Sequence, residues 1–190
     1  MTQDVVARLR RAVERLPAGL AEHVFRVEAE AVRLAEAHGV DPERARIAAL
    51  GHDLARAETP ESLLRLAVDS GIEPDDTERG APVLLHGPVA ARTLEMDYGL
   101  TDGDVLAAAA YHTTARAGMS RLEKIIFLAD KVEEDKVGRR PEWAEVRDLA
   151  AADLDAALLR FLDLQIERAL SKGWRIHPRT VAARNELLPG

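Results

Sequence analysis

Apolar residues recur with the period of an α-helix in every segment of this chain that carries a clear signal. Between residues 19 and 38, Leu20, Val24, Val27, Ala31 and Leu34 fall on one helical face. Proline and glycine residues mark where such stretches begin and end. The pattern predicts helices over 3–15, 19–38, 60–69, 86–97, 102–112, 121–133, 142–151, 154–171 and about 178–188, and one from Pro42 that carries His52 and Asp53.

No segment shows the strict alternation of a half-buried strand. Residues 71–82 are expected to form a loop, and the polar segment 134–141 is expected to be irregular. There is no internal repeat and no linker-like tract between domains. The sequence therefore predicts an all-α bundle, with residues 1–190 forming one domain.

Composition narrows the classes of function. The net charge of −7 argues against binding to a nucleic-acid backbone, which needs clustered cations. The absence of cysteine excludes disulfides, thiolate-bound metal and cysteine nucleophiles. No run approaches the roughly 18 apolar residues of a membrane span, and the N-terminus lacks the design of a signal peptide. A cytoplasmic protein is expected.

Several ionisable residues occupy positions where the helical pattern calls for an apolar side chain. His23 lies between Leu20 and Val27 on their inward face, His112 follows the apolar stripe of 102–112, and Asp130 stands where a leucine would pack. His52 and Asp53 are adjacent, and their side chains diverge by about 100° around a helix axis. Both can still reach one ion in a groove between helices.

A buried imidazole or carboxylate is costly unless something pairs with it. Taken alone, an inward histidine is more often a hydrogen-bonded core residue than a metal ligand. Asp130 is harder to explain, because its neighbour Lys131 is expected to point elsewhere on the helix. Together, these side chains offer nitrogen and oxygen donors without sulfur, a set suited to Fe, Mn, Co or Zn rather than calcium.

The order His23, His52-Asp53 and Asp130 resembles the metal-binding signature of the HD-domain phosphohydrolases, an all-helical superfamily. Further strings look like one branch of it, the HD-type symmetrical bis(5′-nucleosyl)-tetraphosphatases, which cleave diadenosine tetraphosphate into two ADP. These strings are Leu84–Val89, Tyr111–Thr114, Ala117–Met119, Lys124–Lys131, Gly173–Pro178 and Ala183–Asn185. The resemblance runs from about Leu16 to Leu188.

The resemblance implies a divalent metal, typically iron, bound by His23, His52, Asp53 and Asp130. It implies that two of these ligands, His23 and Asp130, also contact the nucleotide or its phosphates. The further residues implied to make such contacts are Arg56, Ala57, Glu58, Thr59, His86, His112, Thr113, Lys136, Gly173, Trp174, Arg175, Ile176, His177 and Pro178. The last helix, about 178–188, is expected to close over the nucleotide. As catalytic groups we expect Asp53 to orient water, and His86 and His112 to stabilise charge or protonate the leaving group.

Three positions depart from the pattern of this branch. Arg56 stands where Lys is common, Glu134 to Lys136 replace a Pro-x-Arg, and Ala115 replaces a glycine. The metal ligands are untouched by these changes, whereas the sequence leaves their effect on substrate preference open, because Arg and Lys hold phosphate differently.

Two other functions remain open from the sequence. An HD-type nucleotide phosphomonoesterase would share the metal site, and a non-catalytic module could sense nucleotide in the same pocket. The sequence also leaves open whether the chain forms a homodimer.

Overall fold

The computed structural model describes residues 2–188, so Met1, Pro189 and Gly190 of the predicted domain lie outside the described residues. The described part is built from helices, without a strand, which confirms the all-α prediction. The helices are α1 (Thr2–Val13), α2 (Ala18–Ala37), α3 (Pro42–Gly51), α4 (Pro60–Asp69), α5 (Asp76–Gly80), α6 (His86–Tyr98), α7 (Gly103–Tyr111), α8 (Arg121–Val132), α9 (Glu134–Arg139), α10 (Ala144–Ala152), α11 (Leu154–Lys172) and α12 (Pro178–Glu186). Short 3-10 turns cover Pro82–Leu85 and Pro141–Trp143. None of the helices between residues 2 and 188 combines the length and hydropathy needed to cross a bilayer.

Helix α8 is the centre of the core. It contacts α2, α3, α7, α10 and α11, and its residues Ile125, Ile126, Phe127 and Leu128 are fully buried. Residues 125–130 of α8 are buried on every face, as in a helix that runs through an interior. Asp130 on this helix is therefore also buried, with 5% of its surface exposed.

One end each of α3, α6 and α7 meets the middle of the site beside α2 and α8. Helix α2 packs on α3 and α8, α3 packs on α7, and α7 packs on α6. His52 directly follows α3, His86 begins α6, and His112 directly follows α7. These packings bring residues that are far apart in sequence to one place.

Helices α6 and α7 approach each other backbone to backbone at Gly87. A Cβ atom at this position would lie 2.7 Å from the carbonyl oxygen of Ala110 and 3.0 Å from that of Ala109. Such distances are too short for real Cβ contacts, so a glycine is required. The approach sets His86 against His112.

Two polar segments form helices that the apolar pattern did not predict. The expected loop 71–82 contains α5, which begins with a capping box made by Asp75 and Glu78. The segment expected to be irregular, 134–141, contains α9, whose first turn is acidic and whose last turn is basic. That charge order suits the helix dipole. Both expectations are wrong because end signals, rather than a hydrophobic stripe, specify these short helices.

The helix expected to carry His52 and Asp53 ends just before them, at Gly51. The backbone continues in turns, with the N–H of Arg56 donating to the carbonyl of Asp53 at 2.9 Å. His52 Nδ1 donates to the carbonyl of Ala49 at 2.6 Å, an oxygen that residue 53 would use in a continuing α-helix. Farther along, Ala115 adopts φ 57°, the left-handed region that favours glycine.

Candidate active site

Two imidazoles and two carboxylates from α2, the end of α3 and α8 lie beside one another. His23 Nε2 is 3.0 Å from Asp130 Oδ1 and 3.8 Å from Asp53 Oδ2. His52 Nε2 is 3.6 Å from Asp53 Oδ2. The cluster holds each of the residues for which the sequence suggests metal ligation.

The tautomers of three histidines follow from their backbone contacts. The Nδ1 atoms of His52 and His112 donate to carbonyls three residues earlier, at 2.6 and 2.7 Å, and His86 Nδ1 donates to Val83 in the same way. With the proton on Nδ1, each Nε2 keeps a lone pair and faces Asp53. Lone pairs that converge on a carboxylate attract a cation.

A second group of side chains adjoins Asp53 on its other oxygen. Asp53 Oδ1 lies 3.0 Å from His86 Nε2 and 3.5 Å from His112 Nε2. The two Nε2 atoms are 2.9 Å apart, and Thr113 Oγ1 lies 3.2 Å from that of His112. Since each Nδ1 already carries a hydrogen, the two rings can share one further proton between these nitrogens.

Burial and charge set the protonation of the cluster. Burial lowers the pKa of the fully buried His52 to about 4 and also lowers the pKa of His86. Burial acts to raise the pKa of Asp53, but His52, His112 and His86 together hold it well below its ordinary value. The site therefore presents a neutral His52 beside an ionised Asp53 at neutral pH.

Asp130 is paired with two lysines. Its Oδ2 lies 2.6 Å from Lys131 Nζ, and its Oδ1 lies 2.7 Å from Lys136 Nζ. Burial acts to raise the pKa of Asp130, yet these two cations and His23 hold it well below its ordinary value. The expectation that Lys131 points elsewhere is wrong, because its long side chain folds back along α8 to the adjacent carboxylate.

Glu133 supports His23 from behind and was missed by the sequence reasoning. It is 1% exposed, its Oε1 lies 3.3 Å from His23 Nδ1, and its Oε2 accepts from Arg26 Nε at 2.6 Å. A carboxylate on the far nitrogen of a ligand histidine fixes the ring and raises its basicity. The available signal was a further acidic residue one turn after Asp130 at the end of an apolar helix.

A cavity of about 520 Å³ opens onto this cluster. The predicted site residues that line it are His23, Asp53, Arg56, Ala57, His86, His112, Thr113, Asp130 and Lys136. Lys131 lines it as well, and His52 lies behind the wall with no exposed surface. The cavity is therefore lined by three of the four candidate metal ligands and by cationic side chains.

The remaining predicted nucleotide contacts lie outside this cavity. Thr59 caps α4, accepting from the N–H of Ser62 at 3.2 Å, and Glu58 bonds Ser62 Oγ. In the segment 173–178, Arg175 donates to the carbonyl of Asp76, and His177 caps α12. Helix α12 itself packs on α11. Of that segment, Trp174 lines a neighbouring cavity.

The donor set fits a transition metal. The groups His23, His52, Asp130 and His52, Asp53, His112 each hold ligand atoms within 4.8 Å of one another. His52 Nε2 is buried and has no hydrogen-bond partner among residues 2–188, as expected of a nitrogen reserved for a metal. Mixed nitrogen and oxygen donors suit Fe, Mn, Co or Zn.

A third group of acidic and histidine side chains consists of Asp75, Glu78 and His177. It differs from the other two groups in which ring nitrogen of its histidine carries the proton. His177 Nδ1 accepts from the N–H of Arg179 at 3.1 Å, so Nε2 carries the proton and has no lone pair for a metal. Nε2 lies 3.2 Å from Asp75 Oδ2 without the alignment of a hydrogen bond. This group joins the chain before α12 to α5.

Comparison with known proteins adds to this geometry. The HD domain family model matches residues 20–135. The symmetrical bis(5′-nucleosyl)-tetraphosphatase of Halalkalibacterium halodurans is 36% identical over 88% of both chains, and that of Bacillus subtilis is 33% identical over 88% of this chain and 89% of its own. A crystal structure from Clostridium acetobutylicum, described as a predicted HD superfamily hydrolase involved in NAD metabolism, superposes with a TM-score of 0.90 at 35% identity and covers 95% of each chain.

Proposed function

This chain belongs to the HD domain family, and we propose that it hydrolyses diadenosine tetraphosphate symmetrically to two ADP with a divalent metal, most readily iron. One observation carries the proposal. Three of the four candidate metal ligands, His23, Asp53 and Asp130, line one cavity with Arg56, Lys131 and Lys136, and His52 lies directly behind its wall. A metal beside several cations suits the charge of a polyphosphate chain.

His23, His52, Asp53 and Asp130 are the residues that would hold the metal. When bound, a divalent ion of this kind polarises a phosphoryl oxygen and lowers the pKa of a coordinated water from about 15.7 to near 7. The buried, neutral His52 and the ionised Asp53 are in the protonation states that ligation requires.

Side chains of the protein would position the attacking water and neutralise the charge of the phosphates. Asp53 would orient the attacking water through its carboxylate, and His86 and His112 would stabilise charge on the transferring phosphoryl group or protonate the departing ADP, with the proton released by the water restoring the donor. Lys131, Lys136 and Arg56 neutralise the phosphate charge, since phosphoryl transfer depends mostly on positioning and electrostatic stabilisation. Breaking one P–O bond with one water yields two ADP.

The nucleotide is proposed to contact further residues along the rim. Arg56 and Ala57 line the cavity, and Trp174 lines its neighbour. By the family resemblance, Glu58, Thr59 and the rest of 173–178 also face the nucleotide, with the last helix closing over it. Such a substrate is a free metabolite, consistent with action in the cytoplasm.

The test is anaerobic purification, elemental analysis, and chromatography of the products from diadenosine tetraphosphate. Asp53→Ala or His52→Ala should abolish hydrolysis and reduce bound metal together, because each removes a ligand. His86→Asn should lower the rate while metal content stays near normal. As a matched control, His38→Asn changes a histidine that bonds the carbonyl of Ala150, outside the site, and should leave both readings near wild type.

Full activity in metal-free Asp53→Ala protein would refute the proposal. Release of inorganic phosphate from nucleoside monophosphates, with no ADP from the tetraphosphate, would instead indicate a phosphomonoesterase. Tight nucleotide binding without turnover in any divalent metal would indicate a sensing module.

A further inference from the structure

A second cavity, of about 580 Å³, lies next to the one that opens onto the metal cluster. Lys131 and Lys136 belong to the walls of both cavities. The second cavity contains none of the candidate metal ligands. A ligand that extends past these two lysines would therefore leave the reaction centre and enter a different chemical environment.

That environment is aromatic. Both tryptophans of the chain, Trp143 and Trp174, line the second cavity together with Phe161. The rings of Trp143 and Phe161 pack edge to face with centroids 5.3 Å apart. Flat aromatic groups of this kind bind nucleobases by stacking.

The second cavity is also cationic, although the whole chain is acidic. Guanidinium groups lie over both indoles, Arg140 at 4.8 Å from the Trp143 ring and Arg168 at 5.5 Å from the Trp174 ring. Arg168 and Lys172 form no ion pair with a carboxylate within residues 2–188, and Glu142 is the one acidic residue of the lining. A local excess of cations favours an anionic ligand such as a nucleotide.

Gln165 adds a hydrogen-bonding group to this wall. Its Oε1 is buried and has no hydrogen-bond partner among the described residues. A buried acceptor without a donor is costly, so a ligand that brings an N–H group would be favoured. The exocyclic amine of adenine is such a donor.

We propose that the second cavity binds the distal purine nucleoside of a dinucleoside tetraphosphate. This assignment rests on the proposed function. One nucleotide half would occupy the cavity at the metal cluster, the phosphate chain would pass Lys131 and Lys136, and the second base would stack against the tryptophans. Trp143, Phe161, Gln165 and Arg168 are thereby given a role in binding the departing half.

Two substrates that each contain four phosphates can distinguish binding of the second nucleoside from catalysis. Diadenosine tetraphosphate carries a nucleoside at both ends, and adenosine 5′-tetraphosphate carries only one. In metal-loaded enzyme, Arg168→Glu and Gln165→Leu should each lower kcat/KM for the first by about tenfold or more, the scale of a lost base contact. For the second, kcat/KM should stay within about twofold, and metal content should not change.

Arg160→Glu is the matched control. It makes the same charge reversal on α11, but Arg160 pairs with Glu145 outside the cavity. It should leave kcat/KM for both substrates within about twofold, as expected of a remote surface change. Equal losses on both substrates in Arg168→Glu and Gln165→Leu, or no loss on either, would overturn the second nucleoside site.

Binding is measured independently of turnover through the two tryptophans. At saturation judged by calorimetry, diadenosine tetraphosphate should quench tryptophan fluorescence more strongly than adenosine 5′-tetraphosphate, because only the former has a second base to stack between the tryptophans of this cavity. Equal quenching by both would overturn the assignment. If the wild-type protein shows the stronger quenching but releases no ADP, the hydrolase proposal fails and the second site stands.

Discussion

Three imidazoles in the site are held in one way, by donating Nδ1–H to a carbonyl three residues earlier. This local bond lets His52, His86 and His112 stand at helix ends with Nε2 directed inward. Their orientation thus depends on the backbone and not on distant partners. His23 is different, because it lies mid-helix on α2 and its Nδ1 faces Glu133.

Glu133 should therefore control metal affinity. Replacing it by Gln removes the charge behind His23 while keeping the side chain's size, and should weaken metal binding by about 10- to 100-fold. A competition titration with a coloured chelator measures this. Glu134→Gln is the control, since Glu134 is exposed in the first turn of α9. Unchanged metal affinity in a correctly folded Glu133→Gln protein would show that Glu133 only caps α9 and packs in the interior.

The buried His52 should make the metal-free protein sensitive to mild acid. Its pKa of about 4 in the fold lies below its ordinary 6.5, so the unfolded chain binds the proton more readily between these values. The free energy of unfolding should then fall as pH drops below 6.5, by about 2 kcal/mol between pH 7 and pH 5. Urea unfolding of chelator-treated protein measures this slope, and His52→Asn should flatten it. An identical slope in both proteins would contradict the assignment.

At the scale of elements, the contact between α6 and α7 leaves no room for a side chain at Gly87. Gly87→Ala would press a methyl group against the backbone of Ala110, forcing the helices apart and His86 away from His112. We expect a loss of about 1–3 kcal/mol in the free energy of unfolding and a lower kcat. Urea unfolding and steady-state kinetics measure the two effects.

Gly103→Ala on α7 provides the comparison, because a Cβ there meets no atom within 4 Å. It should change stability by no more than about 0.5 kcal/mol. If Gly87→Ala behaved like Gly103→Ala, the close approach of α6 and α7 would not matter for the site.

Some helices could be predicted from the sequence and others could not. Helices with an apolar stripe, such as α2 and α8, follow from periodicity and from caps such as the Ser120–Glu123 box. Helices α5 and α9 have too few apolar positions for a stripe, so only their end signals identify them. His23 and Asp130 could be placed on the inner faces of α2 and α8, whereas His52 and Asp53 were placed on a helix that ends before them. The support from Glu133 and the contact between the Nε2 atoms of His86 and His112 depend on how helices pack, and the reach of Lys131 depends on the rotamer of a long side chain.

At the scale of the whole molecule, the candidate metal ligands connect α2, the end of α3 and α8. Any ligand that binds only the folded state raises stability by mass action. At a metal concentration of about 100 times Kd this gain is about 2.7 kcal/mol, or roughly 5–10 °C in Tm for a chain of this size. Thermal unfolding with and without metal measures it.

His52→Ala should lose this thermal response, because it removes the buried nitrogen that has no other partner. An equal rise in Tm for the variant and the wild type would place the stabilising ion elsewhere on the surface.

The two ammonium groups on Asp130 have a consequence for how the centre is filled. Lys131 and Lys136 serve as resident counterions, so a newly folded chain carries a compensated carboxylate in its interior before any ion arrives. Folding and loading can then be separate events. If Asp130 ligates an ion, Lys131 and Lys136 would lose this partner and become available to a polyphosphate in the cavity, so occupancy by ion and by nucleotide should reinforce one another.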